Sequence, residues 1–372
     1  MLIKNVEYIP VTVPRSDKWR TALGAHAFGD AAVVIIHGEK DTFGIGEISS
    51  IWDSYASGLV RDIGQKLKES VLGSDIFDIM QIHRKMDSAV RWNKSANCVK
   101  AGIEMAIYDL IGKQKDLPVY DLIGGKMRNK IPVSRSIGMG TVDMRIEQIN
   151  YYRSLGYRTV KIKTGNDIED DTRTIEAIRE ACGDSVAIRV DANMGWNEPK
   201  AVLKLLDKLY EFNVISVEQP LPPDDIDGLV FLKDHSKMPI MADESLWGPA
   251  DALRLIKSDA VDIMNVYVSE AGGLSKAMLI AGLCDIAGIG FCIGSMPELG
   301  IGTAAAIHLG VAAPQINHPC DLVGSTYFKD DIIEEKIPFN DGYVYSIDSP
   351  GLGVSLDWNK INRYRLEPKD NE

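Results

Sequence analysis

Four apolar, strand-like runs in this chain each end on a charged residue, and the intervals between those endings restrict the fold more than any other feature. Val160-Lys161-Ile162-Lys163 ends on lysine and Ala187-Ile188-Arg189-Val190-Asp191 on aspartate. Val214-Ile215-Ser216-Val217-Glu218 ends on glutamate and Pro239-Ile240-Met241-Ala242-Asp243 on aspartate. The spacings are 28 (191−163), 27 (218−191) and 25 (243−218) residues, each about one strand plus one helix. A strand–helix beat of that length closes into a parallel barrel whose strand ends meet on one rim. Three carboxylates and a lysine then converge there, a metal site with a base beside it.

At 372 residues the chain has room for two domains and a large core. No apolar run reaches about 18–20 residues, so no membrane span is expected. The opening Met1-Leu2-Ile3-Lys4-Asn5-Val6 carries an early lysine and reads as a strand, not a signal peptide. The net charge of −12 argues against nucleic-acid or anionic-membrane partners, which call for a basic surface. Local lysines still suit an anionic small molecule. Cys98, Cys182, Cys284, Cys292 and Cys320 are scattered, without a C-x-x-C pair. They fit free, mostly buried thiols in a reducing cytoplasm.

Residues 1 to about 50 read as antiparallel strands, with Val6, Tyr8, Pro10 and Thr12 alternating with Glu7, Ile9, Val11 and Val13. Arg15 to Gly29 has loop composition. From about 58 to 125 the period becomes helical, with Ile103, Ile107, Leu110 and Ile111 on one stripe and Ile123-Gly124-Gly125 as a stop. From Ile131 onwards strands and amphipathic helices alternate; Val202, Leu203, Leu205, Leu206 and Leu209 form one helix face. This order gives an α+β domain over residues 1–125 and a barrel over 126–324. A C-terminal segment, 325–372, contains strand-like stretches (Gly342 to Ile347, Val354 to Leu356) that could return to the first domain. The fold class is α/β.

Each carboxylate alone has a structural explanation. Asp191 and Asp243 could cap following helices, whereas Glu218, before Gln219-Pro220, has little structural reason to sit at a strand end. At regular strand intervals the three together point to chemistry. Three monodentate oxygen ligands leave positions open for water and substrate, as Mg²⁺ prefers; without histidine or cysteine in the set, zinc is disfavoured. Lys161 and Lys163 are two apart on one strand and face the same side. Mutual repulsion and burial should lower the pKa of at least one, suiting it to act as a general base.

Lys161-x-Lys163, Asp191-Ala-Asn193, Glu218-Gln-Pro220 and Asp243-Glu244-Ser245 together resemble the enolase superfamily, in its muconate lactonizing (cycloisomerase) subgroup. The resemblance spans nearly the whole chain, including Glu298-Leu-Gly300-Ile-Gly302-Thr303. It implies a (β/α)7β modified TIM barrel with an α+β capping domain, whose covers over the site would lie near residues 15–30 and 47–60. It implies that Lys163 abstracts a proton α to a carboxylate, a scheme in which Mg²⁺ stabilises the ene-diolate. Lys161 would tune that base, and Asp191, Glu218 and Asp243 would bind Mg²⁺. Tyr267, Asn193 and Glu298 would contact substrate, while Glu244 and Asn265 would orient the ligands from behind. A small carboxylate substrate and a homo-oligomer (dimer or octamer) follow from the same resemblance.

The chain departs from the subgroup at the sixth strand, where a second lysine is usual. Asn265-Val266-Tyr267-Val268, followed by Gly272-Gly273, puts Tyr267 in the lysine's place. An ordinary tyrosine, pKa about 10, is a poor proton shuttle, which disfavours two-base racemisation and dipeptide epimerisation. One-sided chemistry remains: removal of the α-proton and elimination of water from a β-hydroxy acid. In this replacement the chain resembles the cis-3-hydroxy-L-proline dehydratases. Cycloisomerase, o-succinylbenzoate synthase and sugar-acid dehydratase are the alternatives within the superfamily. A Schiff-base barrel lyase on Lys163 and a non-catalytic metal-binding protein lie outside it. His308, within Ala304-Ala305-Ala306-Ile307-His308-Leu309, is expected to be packed and structural.

Overall fold

The structure, a computed structural model, describes residues 1–366 except 23, 40, 41, 50–54 and 92. It begins with an antiparallel meander, β1 (Asn5–Thr21), β2 (Gly24–His37) and β3 (Phe43–Ser49). Alternation decides which way each residue points. Val6, Ala32, Val34, Ile36 and Ile48 pack against the helical layer, while Ile9, Val11, Val13, Val33, Ile35 and Ile45 join the barrel's core. The sheet is therefore buried on both faces.

Helix Ala96–Lys115 lies across this sheet and is buried over most of its surface. Ile103, Ile107, Leu110 and Ile111 serve the capping cluster, while Ala101, Met105 and Tyr108 serve the barrel's. The crossing is close: a Cβ on Gly46 would stand 2.0 Å from the Gly102 carbonyl oxygen, a distance only glycine permits.

After a short β4 (Lys130–Pro132) come the parallel strands β5 (Arg135–Ile137), β6 (Thr159–Lys163), β7 (Ala187–Asp191), β8 (Val214–Glu218), β9 (Ile240–Ala242), β10 (Ile263–Val266) and β11 (Gly290–Ile293), paired in sequence order. Residues 320–321 close the ring. Asp321 N–H donates to the Ile293 carbonyl (2.8 Å), and Ser134 N–H to that of Cys320 (2.8 Å). The parallel barrel expected from the strand spacing, in the (β/α)7β form that the family resemblance implies, is the fold observed. β12 (Phe339–Asn340) and β13 (Tyr343–Tyr345) join β4 at the opposite end.

Two expectations change. Residues 15–29 are not a loop; both strands of the first hairpin run through them, with a register shift between Pro14 and Trp19. The tertiary partner is residues 327–329. Lys329 N–H donates to the Pro14 carbonyl (3.0 Å), and Ser16 Oγ donates to that of Tyr327 (2.9 Å). Such pairing overrides polar composition. The strand-like stretch near Tyr343 pairs with β4, while Arg365 and Leu366 reach back to Val11 and Pro10. Of the two expected covers, residue 23 of the first and residues 50–54 of the second lie outside the described residues.

Cap and barrel share polar contacts. The fully buried Glu47 of β3 accepts from the N–H groups of Leu299 and Gly302 (both 2.8 Å) at the start of barrel helix Gly300–Ala312. Asp109 accepts from Ile45 N–H (2.9 Å) and Leu352 N–H (2.8 Å).

His308 is buried inside helix Gly300–Ala312. Its Nδ1 accepts from Tyr120 N–H and its Nε2–H donates to the Leu352 carbonyl, both at 3.2 Å. Both ring nitrogens are thus committed to the neutral form, and burial lowers the pKa from 6.5 to about 4. Between those values the unfolded chain binds the extra proton and the folded one does not. Stability is therefore complete above pH 6.5 and falls as pH drops toward 4, by up to about 3 kcal/mol for this group. His308→Gln keeps one acceptor and one donor without titrating. Its pH–stability curve should be flatter over that interval than the parent's, measured by denaturant melts; an unchanged acid limb would discount this histidine.

Candidate active site

Strand register assembles the site. Lys163 pairs with Asp191 across β6 and β7, and Asp191 with Glu218 across β7 and β8. Glu218 pairs with Met241, two residues before Asp243, so Asp243 leaves β9 on the same inward face. Single carboxylate oxygens of Asp191, Glu218 and Asp243 lie within 4.8 Å of one another, and all three residues are buried. Among the described residues this is the one acidic or His/Cys cluster with metal-holding geometry.

One layer deeper lies a cationic floor. Lys161 Nζ contacts Asp321 Oδ2 (2.6 Å), Glu218 Oε1 (3.0 Å) and Asp191 Oδ2 (3.5 Å). Burial opposes its charge, but Asp321, Glu218 and Asp191 outweigh it and hold the pKa well above the usual lysine value. The lowering expected for at least one of the two lysines does not occur at Lys161, where three carboxylates surround the ammonium. Arg189, fully buried, donates to Glu218 Oε2 (2.7 Å) and the Pro319 carbonyl (2.6 Å), and pairs with Asp321 Oδ1 (3.3 Å).

Lys163 Nζ donates to Asp191 Oδ2 (2.5 Å) and Asn193 Oδ1 (3.0 Å). Asn193, at φ 43°, turns its side-chain amide to Glu244 Oε1 (3.1 Å) and its backbone N–H to Asp191 Oδ1 (2.9 Å). Glu244 is driven up to about 8, by burial and then by Asp191. Asp191 moves the other way; burial opposes ionisation, yet Lys163 and Lys161 hold it well below the carboxylate range.

Tyr267, just past the end of β10, donates its phenol to Asp243 Oδ2 (3.1 Å). Asn265 Nδ2 donates both to that phenol (3.3 Å) and to Glu218 Oε1 (3.2 Å). Burial, then the charges of Asp243 and Glu218, push the phenol's pKa well above 10, so it stays a neutral donor. Glu298 is buried at the mouth of helix Gly300–Ala312, and its carboxylate accepts from Ser295 Oγ and from Met296 N–H (3.1 Å). It faces its own turn, and burial raises its pKa, with a smaller push from the charge of Asp321.

The donor set fits a hard divalent cation. All candidate ligands are carboxylate oxygens, and buried Asp243 Oδ1 has no hydrogen-bond partner among the described residues. Burial, then Glu244, Glu218, Glu270 and Asp191, raise the Asp243 pKa well above normal, the mark of an acidic cluster short of positive charge.

Sequence reasoning missed Arg189 and Asp321. Arg189 had a signal: it sits two before Asp191 in an apolar strand, so it shares the inward face. Asp321 had little, since His318-Pro319-Cys320-Asp321 carries no strand pattern, and the backbone bonds that place it span the barrel's closure.

A profile described as "Enolase C-terminal domain-like" matches residues 144–360, and one described as "Mandelate racemase / muconate lactonizing enzyme, N-terminal domain" matches residues 6–124. L-Ala-D/L-Glu epimerase of Clostridium acetobutylicum is 31% identical over 363 residues, covering 95% of this chain and 99% of that protein. Hydrophobic dipeptide epimerase of Enterococcus faecalis is 34% identical over 320 residues, covering 85% and 89%. Muconate lactonizing enzyme of Pseudomonas fluorescens, solved with muconolactone, superposes with a TM-score of 0.94 at 27% identity, covering 98% of this chain and 99% of that one.

Proposed function

Because the chain belongs to the enolase superfamily, we propose that Lys163 takes the proton α to a substrate carboxylate and returns it to a leaving hydroxyl on the same face. Mg²⁺ is the cofactor, and Asp191, Glu218 and Asp243 are the residues that would hold it. When bound, it supplies Lewis-acid stabilisation, worth several kcal/mol, for the second negative charge that develops on the carboxylate. The rest is done by side chains. Neutral Lys163 accepts the α-proton, the C–H electron pair becomes the Cα–Cβ double bond, and hydroxide departs as water with the proton from Lys163. Lys161, held protonated by its three carboxylates, keeps a fixed positive charge beside the substrate's anionic end. Asn193 and Glu244 keep Lys163 aimed.

The observation that carries this reading is Tyr267. Its phenol is a neutral donor spent on Asp243, where a two-base enzyme needs a second proton shuttle. The substrate class is then a β-hydroxy acid, and a cyclic β-hydroxy amino acid of the cis-3-hydroxy-L-proline kind suits a tyrosine neighbour better than a lysine one, since like charges repel. A second reading is cycloisomerisation, also one-sided at the α-carbon and supported by the fit to muconate lactonizing enzyme. Five buried free cysteines favour a reducing compartment such as the cytoplasm.

Proton NMR in D2O with Mg²⁺ tests the reading on cis-3-hydroxy-L-proline, sugar acids, dipeptides and muconate. Loss of water from a β-hydroxy acid, without prior inversion at the α-carbon, is the expected result. Deuterated, epimerised substrate that retains its hydroxyl would sink the one-base scheme, and lactone formation from muconate would select the second reading.

A further inference from the structure

We propose that Tyr267 is a positioning residue for the cation: its phenol fixes one oxygen of Asp243 so that the other faces the metal. The inference rests on the reading of the triad as the Mg²⁺ site, and it gives Tyr267 a function beyond replacing a second base. Asn265 and Tyr267 are two residues apart and face inward together. They form an unbroken hydrogen-bonded bridge between two ligand carboxylates, from Glu218 Oε1 through Asn265 Nδ2 and Tyr267 Oη to Asp243 Oδ2. The bridge occupies Asp243 Oδ2 and leaves Oδ1, buried, without a partner among the described residues.

The ring has no freedom to leave. Tyr267 is buried, and a Cβ built on Gly294 would lie 2.4 Å from its Cζ, so the glycine's missing side chain is the space the ring fills. The chemistry of the donor also matters. A phenol fixes the carboxylate's orientation without cancelling its charge, and such outer contacts tune metal affinity by 10–100-fold.

The test is Mg²⁺ titration calorimetry on chelator-stripped Tyr267→Phe, which removes the hydroxyl and keeps the ring. Mg²⁺ affinity should fall about 10-fold or more, melting temperature without Mg²⁺ should stay close to the parent's, and turnover should recover as Mg²⁺ is raised. Gly294→Ala, which displaces the ring with its hydroxyl intact, should weaken Mg²⁺ binding in the same direction. Unchanged Mg²⁺ affinity in Tyr267→Phe, or a turnover deficit that persists at saturating Mg²⁺, would overturn the proposal. Failure of the parent protein to bind Mg²⁺ would instead remove the metal reading beneath it.

Discussion

Lys163→Met is expected to lower turnover by at least about 10²–10⁴-fold, the range general-base catalysis contributes, while the fold and the cation site survive. Methionine matches the length of the lysine stem and removes only the ammonium. Asp191 loses its 2.5 Å partner but keeps Lys161 at 3.5 Å, so no carboxylate is stranded. Removing one positive charge beside a metal ligand also leaves Mg²⁺ binding equal or tighter. The signature is therefore a split: turnover lost, Mg²⁺ affinity by calorimetry unchanged or improved, melting temperature near the parent's. Retained turnover would take Lys163 out of the reaction, and lost Mg²⁺ binding would make it a structural cation instead.

Glu218→Gln should produce the opposite pattern, with metal affinity and stability falling together. Both oxygens of Glu218 already accept from donors: Oε2 from Arg189, and Oε1 from Lys161 and Asn265. An amide offers one acceptor, so its NH2 must confront either the guanidinium or the ammonium. Breaking a buried ion pair in this way costs about 3–5 kcal/mol, since Arg189 and Lys161 have no solvent to turn to. Denaturant melts in chelator should register the loss, and Mg²⁺ should restore less stability than it does in the parent. A variant as stable as the parent, with the same Mg²⁺ affinity, would contradict the placement of Glu218 at the centre of the network.

The rim was legible because strand endings are a one-dimensional signal. Once β6, β7 and β8 pair in register, Lys163, Asp191 and Glu218 must stand side by side. Tyr267 was legible as a departure, but its bond to Asp243 joins two strand ends 24 residues apart in sequence and needed coordinates. Arg189 was visible in its strand yet looked like a polar interruption, because its partners lie up to 132 residues away. Asp321 was hidden because its position depends on closure of the whole ring. The hairpin at 15–29 was misread for a related reason: its partner, residues 327–329, lies some 300 residues further along the chain.

The helix that follows the seventh barrel strand has no side-chain cap of its own, since the Leu299 side chain at its head carries no acceptor. Its first turn is finished by two borrowed acids: Glu47, from a different sheet, accepts from Leu299 and Gly302, and Asp331 accepts from Gly300 N–H (3.0 Å). Recombining a foreign lid module with this barrel must therefore bring an acid to the place of Glu47, or two of the turn's N–H groups lose their partner beside Glu298. Mix-and-match chimaeras between relatives should lose stability when that carboxylate is missing, before any question of what the lid recognises arises.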